Sequence, residues 1–460
     1  MKRRQFMQLL AASGMAASFP INNRAYAATA TPDHFLVMVN AGGGWDPTSL
    51  CDPKGTGAQY PDRARTGYDG SINSIDLASA KQDATSGIRW SGTPNIDGGT
   101  QDTPSATMTR IDNQFDSFFQ TYANRMTVIN GIDNGTNNHS TGNRATWSGN
   151  PEMGYPSLAA IFAAAKNPSL PMAYISNGGY DFTASLVSRA RASSAGFIDT
   201  LAAPNNESYH YRSSEGTPEA DKIDIYQQLK AAQAQRLARQ QANETLPLRR
   251  KQLNQLFTVR QEENNLAELS VRKDQLEAIV ATNAHMNNRN QSMKQQASLV
   301  SAAFAAGIAA SANINSGGFD THGDHDRRQY QSLGDLLEGT CYLMEALQAA
   351  GVADKTTVVI GSDFGRTPYY NSGNGKDHWP VTSLIVLHPS GSGKGGKVFG
   401  ASDDKFSSLT LNLANGQPDS QGEVLTPAHI NLALRKELNI DQSSAALQFP
   451  ISASDFNIFS

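Results

Sequence analysis

The side chains best suited to chemistry are concentrated in residues 315–326, which read NSGGFDTHGDHD. On an extended backbone alternate side chains share a face, so Asp320, His322 and Asp324 would point the same way. Carboxylate oxygens and imidazole nitrogens that converge from one face are what a divalent cation requires. The preceding glycines allow the sharp turn that such convergence needs. We therefore expect Asp320 and His322 to bind a metal, whereas Asp324 and Asp326 also fit the acidic first turn of a helix.

A second group of candidates follows downstream. Asp363 and Arg366 lie in the sequence GSDFGRTP, and Asp377 and His378 lie farther on in GKDHWP. Near the start of the chain, Asp46 follows an apolar run and three glycines, which is the arrangement of a polar site at the carboxyl end of a strand. Three glycines are also compatible with a tight turn alone.

A third polar segment, His139–Arg144, reads HSTGNR and follows an apolar run at 126–130. It lies where a strand is expected to pass into a helix, and a helix N-terminus stabilises anions and lowers the pKa of a nucleophile. Ser140 is the first choice for a nucleophile, with His139 as an alternative nucleophile or metal ligand. Arg144 is a candidate for binding an anionic group. An ordinary Ser or Thr helix cap explains Ser140 or Thr141 at least as simply.

The elements that must position these residues alternate along the chain. Strands that alternate with helices are typical of an α/β fold with a mainly parallel central sheet flanked by helices. The carboxyl ends of parallel strands meet at one edge, so we expect Asp46, Asp320, His322, Asp363 and His378 to form one cluster. Apolar runs predict strands at 34–40, 126–130, 170–176, 356–361 and 382–388, and amphipathic patterns predict helices at 110–125, 328–349 and 426–438.

Two segments lie outside this alternation. Residues 52–107 are rich in Gly, Ser, Asp and Pro with little periodicity, which predicts a long surface excursion. Residues 219–298 are rich in Gln, Ala, Arg, Lys, Glu and Leu at helical spacing, with Pro247 as an internal breaker. This second segment is predicted to be a helical hairpin inserted into the domain, and its mixed charges indicate a solvated surface.

The N-terminus carries the features of an export signal. Residues 2–7 read KRRQFM, a twin-arginine pattern, and a weakly apolar run over 9–21 leads to Ala25-Tyr26-Ala27, a small-residue cleavage site. The apolar run is too short to span a bilayer. We therefore predict a signal peptide over 1–27, a single domain over 28–460 and a periplasmic or secreted protein with no transmembrane segment in the mature chain.

Composition argues against nucleic acid as a partner and against a framework of disulfide bonds. A net charge of −4 provides no basic stripe for nucleic acid. The chain has two cysteines, Cys51 and Cys341, which do not make a disulfide framework. Cys341 lies in a predicted amphipathic helix and is expected to be a buried free thiol.

Taken together, the motifs resemble one bacterial family. The twin-arginine start, GGFDTH at 317–322, SDFGRT at 362–367 and the later Asp377-His378 pair are similar to the exported family called domain of unknown function 1501. That family is grouped with the alkaline phosphatase and sulfatase superfamily, and the resemblance covers nearly the whole mature chain.

This resemblance implies a fold and a set of roles. The fold would be an alkaline-phosphatase-like α/β sandwich. Asp46 would correspond to a first metal-binding aspartate, Asp320 with His322 would bind one metal, and Asp363 with His378 would supply the remaining ligands. The segment 139–144 would hold the nucleophile.

The chain also departs from the superfamily pattern. It has Asp363-Phe364 where that superfamily commonly has an Asp-His pair, and it lacks the sulfatase signature Cys-x-Pro-x-Arg or Ser-x-Pro-x-Arg. Both differences argue against a formylglycine sulfatase and against a standard two-zinc phosphatase.

The expected function is that of an exported metal-dependent hydrolase or transferase acting on phosphate or related esters. A divalent metal, with zinc as one candidate, would polarise a small anionic ester and lower the pKa of the attacking hydroxyl or water. Arg144 or Arg366 would hold the anionic group, although Arg366 is equally suited to pair with a carboxylate. The alternative is a catalytically silent exported binding or assembly protein with an unknown ligand.

Overall fold

The structure is a computed structural model that describes residues 32–54, 80–92, 105–191, 219–247, 249–250, 253 and 291–459. Its strands are β1 Phe35–Ala41, β2 Lys81–Gln82, β3 Arg89–Trp90, β4 Met126–Asp133, β5 Tyr174–Ser176, β6 Arg189–Arg191, β7 Ser311–Ser316, β8 Thr356–Ser362, β9 Gly365–Arg366, β10 His378–Trp379, β11 Val381–Leu387, β12 Lys397–Phe399, β13 Thr410–Leu411 and β14 Glu423–Val424. Its α-helices are α1 Ala106–Tyr122, α2 His139–Ser148, α3 Leu158–Lys166, α4 Glu219–Asn243, α5 Gln291–Ala305, α6 His325–Ala349, α7 Pro427–Glu437 and α8 Ser444–Leu447.

A large sheet with the strand order β12-β4-β11-β8-β1-β7-β5-β6 forms the centre of the fold. Strand β11 is antiparallel to its neighbours β4 and β8, while the other described pairs in this sheet are parallel. The predicted α/β class and mostly parallel central sheet are therefore confirmed. Strand β1 is buried along its whole length, as its unbroken apolar run predicts.

Helices cover both faces of this sheet. Alternate side chains of a strand point to opposite faces, and in β1 apolar side chains of both sets are buried against helices. In β1, Phe35 and Val37 pack with side chains of α1, α5 and α6 on one face. Leu36 and Met38 pack with side chains of α3 and α7 on the other. Burial of each such apolar side chain contributes roughly 1.5–3 kcal/mol relative to exposure.

The register of the central strands brings four loops and one further segment to the same edge of the sheet. Ala41 at the end of β1 pairs with Ser316 at the end of β7 and with Ser362 at the end of β8. Strand β4 ends at Asp133, which pairs with Val381 at the beginning of the antiparallel β11. The loops after β1, β4, β7 and β8 and the segment that leads into β11 therefore meet at the same edge.

Parts of the two unusual segments lie outside the described residues. Within the first, residues 80–92 form the β2–β3 hairpin, whose Ile88 and Trp90 are buried in the core; residues 55–79 and 93–104 are outside the description. Within the second, α4 confirms one helix, but most of 248–290 is outside the description, so the helical hairpin stays a prediction. The proposed signal peptide, 1–27, also lies outside the described residues.

Two smaller expectations concern the membrane and the cysteines. Within the described residues, no helix is both long and apolar enough to cross a membrane. Cys51 and Cys341 are both free and buried, and Cys341 lies in α6, as predicted. Burial raises the pKa of both thiols well above the ordinary value.

Candidate metal centre

Three histidines from distant parts of the chain meet around Asp320 at the edge of the sheet where the parallel strands have their carboxyl ends. These three histidines and Asp320 are called the histidine group below. The histidine Nε2 atoms lie 3.7 Å (His139), 3.1 Å (His322) and 3.3 Å (His378) from Asp320 Oδ1. The Nε2 atoms of His322 and His378 are 3.0 Å apart. His139 begins α2, His322 follows β7 and His378 lies in β10, so the edge predicted from the strand ends does bring them together.

The opposite ring nitrogen of each histidine is held by an oxygen acceptor. A carboxylate or carbonyl oxygen can only accept, so Nδ1 is the donor in each of these three contacts. With the hydrogen held on Nδ1, Nε2 is the ring nitrogen left to bind a cation beside Asp320. This is the arrangement of metal-binding histidines, in which an outer acceptor sets the tautomer and the ring orientation. The acceptors are Asp363 Oδ2 for His139 at 2.5 Å, Asp377 Oδ1 for His322 at 2.7 Å and the Asn137 carbonyl for His378 at 2.8 Å.

The charges around this group are consistent with an ionised carboxylate. Burial by itself raises the pKa of Asp320, but the hydrogen bond and charge of Arg366, together with the contacts to His378 and His322, outweigh burial and the pKa lies below the ordinary value. The same balance, with His322 as the partner, lowers the pKa of Asp377. The hydrogen bond to Asp363 raises the pKa of His139.

Asp363 is held by the backbone of the glycine loop that follows β1. Its Oδ1 accepts from the Gly44 N–H at 2.6 Å, the Gly43 N–H at 3.2 Å and the Ser362 hydroxyl at 2.9 Å. Both glycines have positive φ, and a Cβ on Gly44 would lie 2.6 Å from the ring of Phe364. The glycines are therefore needed to bring two N–H groups onto Asp363, which points its other oxygen at His139.

Phe364 forms an aromatic support for two of the histidines. Its buried ring lies 4.7 Å from the His139 ring and 4.5 Å from the His378 ring, measured between centroids. Phe364, the residue after Asp363, thus packs against the imidazoles.

Helix α2 docks closely on the end of β8 and so brings His139 to the site. The Asn134 amide donates to the Asp363 carbonyl at 2.5 Å, and the Thr146 hydroxyl donates to the Ser362 carbonyl at 3.0 Å. A Cβ on Gly142 would lie only 2.3 Å from the Asp363 carbonyl oxygen. Only a glycine permits this approach without a shift of the helix.

The structure places Asp46 away from the histidine group, which corrects the position expected for it. Its fully buried carboxylate accepts from the Lys376 ammonium at 2.7 Å and lies 3.0 Å from His325 Nε2. The Thr48 hydroxyl and the Ser49 hydroxyl also donate to it, at 2.7 and 3.0 Å. With its oxygens occupied in this way, Asp46 is the anion of a buried ion pair.

The ionisation of this buried pair follows from its contacts. Burial alone raises the pKa of Asp46, but the charge of Lys376 and the contact with His325 lower it far below the ordinary value. Burial lowers the pKa of His325, so its ring is neutral near pH 7. Its Nδ1 lies 2.7 Å from the Thr321 hydroxyl.

The other predicted residues have different surroundings. Asp324 does not share a face with Asp320 and His322; it has a positive φ, precedes α6 and pairs with Arg327, because the chain turns into the helix there. Asp326 is buried and accepts from the Tyr370 hydroxyl at 2.7 Å.

Arg366 is a buried partner of a carboxylate and of the loop backbone. Its guanidinium donates to Asp320 Oδ1 at 2.6 Å, to the Gly44 carbonyl at 2.8 Å and to the Lys376 carbonyl at 3.0 Å. It also donates to the Gly43 carbonyl. Of the two roles open to Arg366, these contacts match the carboxylate partner.

Ser140 and Arg144 lie on α2 beside the site. Ser140 is exposed, and within the described residues its hydroxyl makes no hydrogen bond to the three histidines. Arg144 donates to the Pro151 carbonyl at 2.7 Å and to Thr141 Oγ1 at 3.1 Å. The cap of α2 is Asn138, whose side chain accepts from the Thr141 N–H.

Sequence reasoning assigned no role to three residues that matter here. Asp377 was visible beside His378 but was not identified as the partner of His322. His325 lies in the acidic motif without a distinctive spacing of its own. Lys376 is a single lysine in a glycine-containing loop, and no local pattern indicates that it is buried against Asp46.

The donor set suits a divalent metal. Ligand atoms of His139, Asp320 and His378 all lie within 4.8 Å of one another. In addition, the Nε2 atoms of His322 and His378 lie 3.0 Å apart, and a single hydrogen or cation between them would satisfy both nitrogens. Imidazole nitrogens with a carboxylate oxygen are ligands that zinc and related metals accept.

Comparison with solved structures finds distant similarity to several chains, including the two below. A chain described as Ps i-CgsB in complex with k-i-k-neocarrahexaose shares 10% identity, with a TM-score of 0.36 and coverage of 93% of this chain and 75% of that one. A chain from work on glycosaminoglycan metabolism by Bacteroides thetaiotaomicron shares 10% identity, with a TM-score of 0.33 and coverage of 91% and 74%. TM-scores of this size do not establish a common fold.

Comparison by sequence identifies the family. No curated protein matches the chain. The model of the family described as "Protein of unknown function (DUF1501)" matches residues 34–412, which include every residue of the histidine group. The chain therefore belongs to the DUF1501 family of proteins of unknown function.

Proposed function

We propose that the protein is an exported metal-dependent hydrolase or transferase that acts on phosphate or related esters. The observation that carries the proposal is the convergence of three imidazole Nε2 atoms on Asp320, with an acceptor behind each ring. His139, Asp320 and His378 would hold the metal, and His322 would be a further ligand. When bound, a divalent cation such as zinc supplies Lewis acidity at the ester and lowers the pKa of a nearby hydroxyl or water.

The exposure of the group supports a role in binding a small ligand. The side chains of Asp320 and His322 are 50% and 46% exposed, so a solute can reach them. His139 is the first residue of α2, and the N-terminus of a helix favours an anionic group. Ser140, in the first turn of that helix, is the hydroxyl proposed as nucleophile, with Arg144 one turn farther on as the side chain for the anion.

A second function is favoured by one observation. The Ser140 hydroxyl is exposed, and within the described residues it makes no hydrogen bond to the histidine group. The histidines therefore do not activate this hydroxyl as a nucleophile in the structure. An exported binding protein that keeps the metal site but performs no catalysis would have the same geometry.

The test combines metal analysis with a broad screen of esters. Wild-type protein should bind close to one equivalent of Zn²⁺ and hydrolyse at least one phosphomonoester, phosphodiester or sulfate ester. His378→Ala should lose both properties. Ser140→Ala should keep the metal and lose activity by a factor of about 100 or more, since it removes a nucleophile.

The matched control for these variants is His34→Gln. His34 lies just before β1, at the opposite end of the strand, and contacts Thr357, so its replacement should change neither metal content nor activity. Metal binding without any activity would favour the binding protein. Absence of metal in the wild-type protein would overturn both forms of the proposal.

We also propose export through the twin-arginine route with cleavage after Ala27. The support is the sequence of residues 2–7 and the small-residue site at 25–27. Replacing Arg3 and Arg4 by lysine keeps the charge and should retain the precursor in the cytoplasm, as measured by cell fractionation and by the N-terminal sequence of the mature protein. An unchanged periplasmic or extracellular yield would contradict the prediction.

A further inference from the structure

The site consists of two halves that different elements build. One half contains His139 and its partner Asp363, which are held by α2, the end of β8 and the glycine loop after β1. The other half contains Asp320 and His322 from the loop after β7 and His378 from the segment before β11. The relative placement of the halves sets the distances among the three Nε2 atoms.

The second half is already joined within itself by its backbone. The Lys376 N–H donates to the Thr321 carbonyl at 3.1 Å, and the His325 N–H donates to the Asn374 carbonyl at 2.9 Å. These bonds link the loop that carries His322 to the segment that carries His378. They do not link either of them to the loop after β1.

Asp46 supplies a connection between the halves. It lies two residues after Gly44, whose N–H holds Asp363 in the first half. Its carboxylate binds His325, three residues after His322, and Lys376, two residues before His378. We infer that Asp46 is a positioning residue, whose buried bonds to His325 and Lys376 hold the His322 and His378 loops in register with the half of the site that contains His139.

Burial makes this connection rigid. The side chains of Asp46 and His325 are fully buried and that of Lys376 is 2% exposed. A buried carboxylate that loses its cation, or a buried ammonium that loses its anion, is strongly penalised, so the pair cannot separate at low cost. The hydroxyls of Thr48 and Ser49 satisfy further lone pairs of Asp46 and fix its rotamer.

The experiment uses the double variant Asp46→Asn/Lys376→Met. It removes both charges together, so neither is left buried without a partner, and the fold is expected to survive. The control is Glu338→Gln/Lys294→Met, which neutralises another buried ion pair, 3.2 Å apart between α5 and α6. Comparison of the two doubles separates a general effect of removing a buried pair from a local effect on the histidine loops.

Two quantities are measured, and the first is independent of metal. Hydrogen exchange of the metal-free protein should rise at least tenfold in peptides covering 320–325 and 374–379 of the Asp46 double variant, and stay unchanged there in the control. The inference rests on the proposed function for the second quantity, the Zn²⁺ affinity, which should fall at least tenfold in the Asp46 double variant alone.

The outcomes are distinguishable. Wild-type exchange and wild-type affinity in a folded Asp46 double variant would overturn the inference. If the wild-type protein binds no Zn²⁺, the proposed function fails and hydrogen exchange still decides the positioning role. If the double variant does not fold, Lys376→Arg, which keeps the charge but displaces the donor atoms, is measured in the same way; unchanged exchange in that variant overturns the inference.

Discussion

At the scale of single residues, the partner of each Nδ1 atom decides what the imidazole can do. His139, His322 and His378 face Asp320 through Nε2 because an oxygen behind each ring accepts the Nδ1 hydrogen. Without those acceptors each neutral ring could adopt either tautomer, and only the one with its hydrogen on Nδ1 offers the Nε2 lone pair to a metal at Asp320. The acceptors behind the rings therefore determine whether the histidines can bind a metal as much as the positions of the histidines do.

The variant Asp363→Asn tests whether the acceptor behind His139 sets the tautomer of that ring. An asparagine can keep one oxygen towards the Gly44 N–H, but its NH₂ group would then face the Nδ1 hydrogen of His139, and two donors would oppose each other. The ring would flip or change tautomer, so we expect Zn²⁺ affinity to fall by a factor of about 10 to 100. The measurement is a competitive Zn²⁺ titration, with circular dichroism to confirm folding.

The control for Asp363→Asn is Asp133→Asn at the same edge of the sheet. Asp133 ends β4 and accepts from the Gly135 N–H at 2.8 Å, and within the part of the chain that the structure describes its carboxylate makes no hydrogen bond or ion pair with the three histidines. It should leave the affinity unchanged. Equal affinity of wild-type and Asp363→Asn protein would show that the tautomer of His139 does not depend on the carboxylate.

At the scale of elements, the position of α2 is set by a glycine against a carbonyl. Gly142 lies in the second turn of the helix, and the space beside it is filled by the Asp363 carbonyl oxygen. The helix thereby carries His139 to the end of β8, where Asp363 is also held. A helix placed a few tenths of an ångström farther out would lengthen the bond between the two side chains.

Gly142→Ala should therefore lower both stability and metal affinity. Alanine is the better helix former by up to about 1 kcal/mol, which would stabilise an unobstructed helix. Here a Cβ would lie 2.3 Å from a backbone oxygen, and such overpacking costs about 1–3 kcal/mol. We expect a net loss in the free energy of unfolding, measured in urea, together with weaker Zn²⁺ binding.

Gly317→Ala provides the comparison for Gly142→Ala. Gly317 has no positive φ, and no neighbouring atom lies within 4 Å of an added Cβ. Its replacement should change stability by less than about 0.5 kcal/mol. A Gly142→Ala protein as stable as wild type would mean that α2 can move without cost.

At the scale of the whole molecule, the sheet separates the site edge from a buried histidine that follows β11. His388 is fully buried, with Nε2 2.9 Å from the Thr127 hydroxyl and Nδ1 3.7 Å from Glu437. Burial, reinforced by the positive charges of Lys394, Lys397 and Arg125, lowers the pKa of His388 to about 4. His388 follows the carboxyl end of β11, whereas His378 precedes the beginning of that strand.

The sign of the resulting pH dependence follows from the lowered pKa. The unfolded chain protonates this histidine near pH 6.5 and the folded protein only near 4, so the unfolded state binds more protons between those values. The stability associated with neutral His388 is complete above pH 6.5 and is lost as the pH falls to about 4. At about 1.36 kcal/mol per unit, the loss is roughly 3 kcal/mol.

His388→Gln should reduce the loss of unfolding free energy that the wild-type protein shows between pH 6.5 and 4. Glutamine can keep a hydrogen bond to Thr127 but does not titrate, so the difference in unfolding free energy between the two proteins should shrink by roughly 3 kcal/mol from pH 7 to 4. Urea unfolding at several pH values measures it. Parallel curves for the two proteins would show that His388 titrates alike in both states.

Several features of this protein were determined by the sequence itself. Unbroken apolar runs such as 34–40 and 356–361 predicted the central strands, and the polar residues after them predicted which edge carries the site. Strand burial and helix periodicity are local properties, so a local pattern is sufficient to reveal them. The spacing of Asp320 and His322, and the position of His378 after an expected strand, likewise predict site residues, and the segment that begins at His139 is predicted to lie near a helix start.

The tertiary structure alone decided the direction of β11, the partners of each imidazole and the place of Asp46. The sequence around Asp46 is that of a residue at the site edge, yet its carboxylate turns to Lys376, which lies 330 positions farther along the chain. A side chain's bonds depend on register and packing between distant segments, and no local periodicity encodes them. A carboxylate next to a candidate metal site is drawn either to a metal or to a buried ammonium, and only the folded chain places the ammonium there.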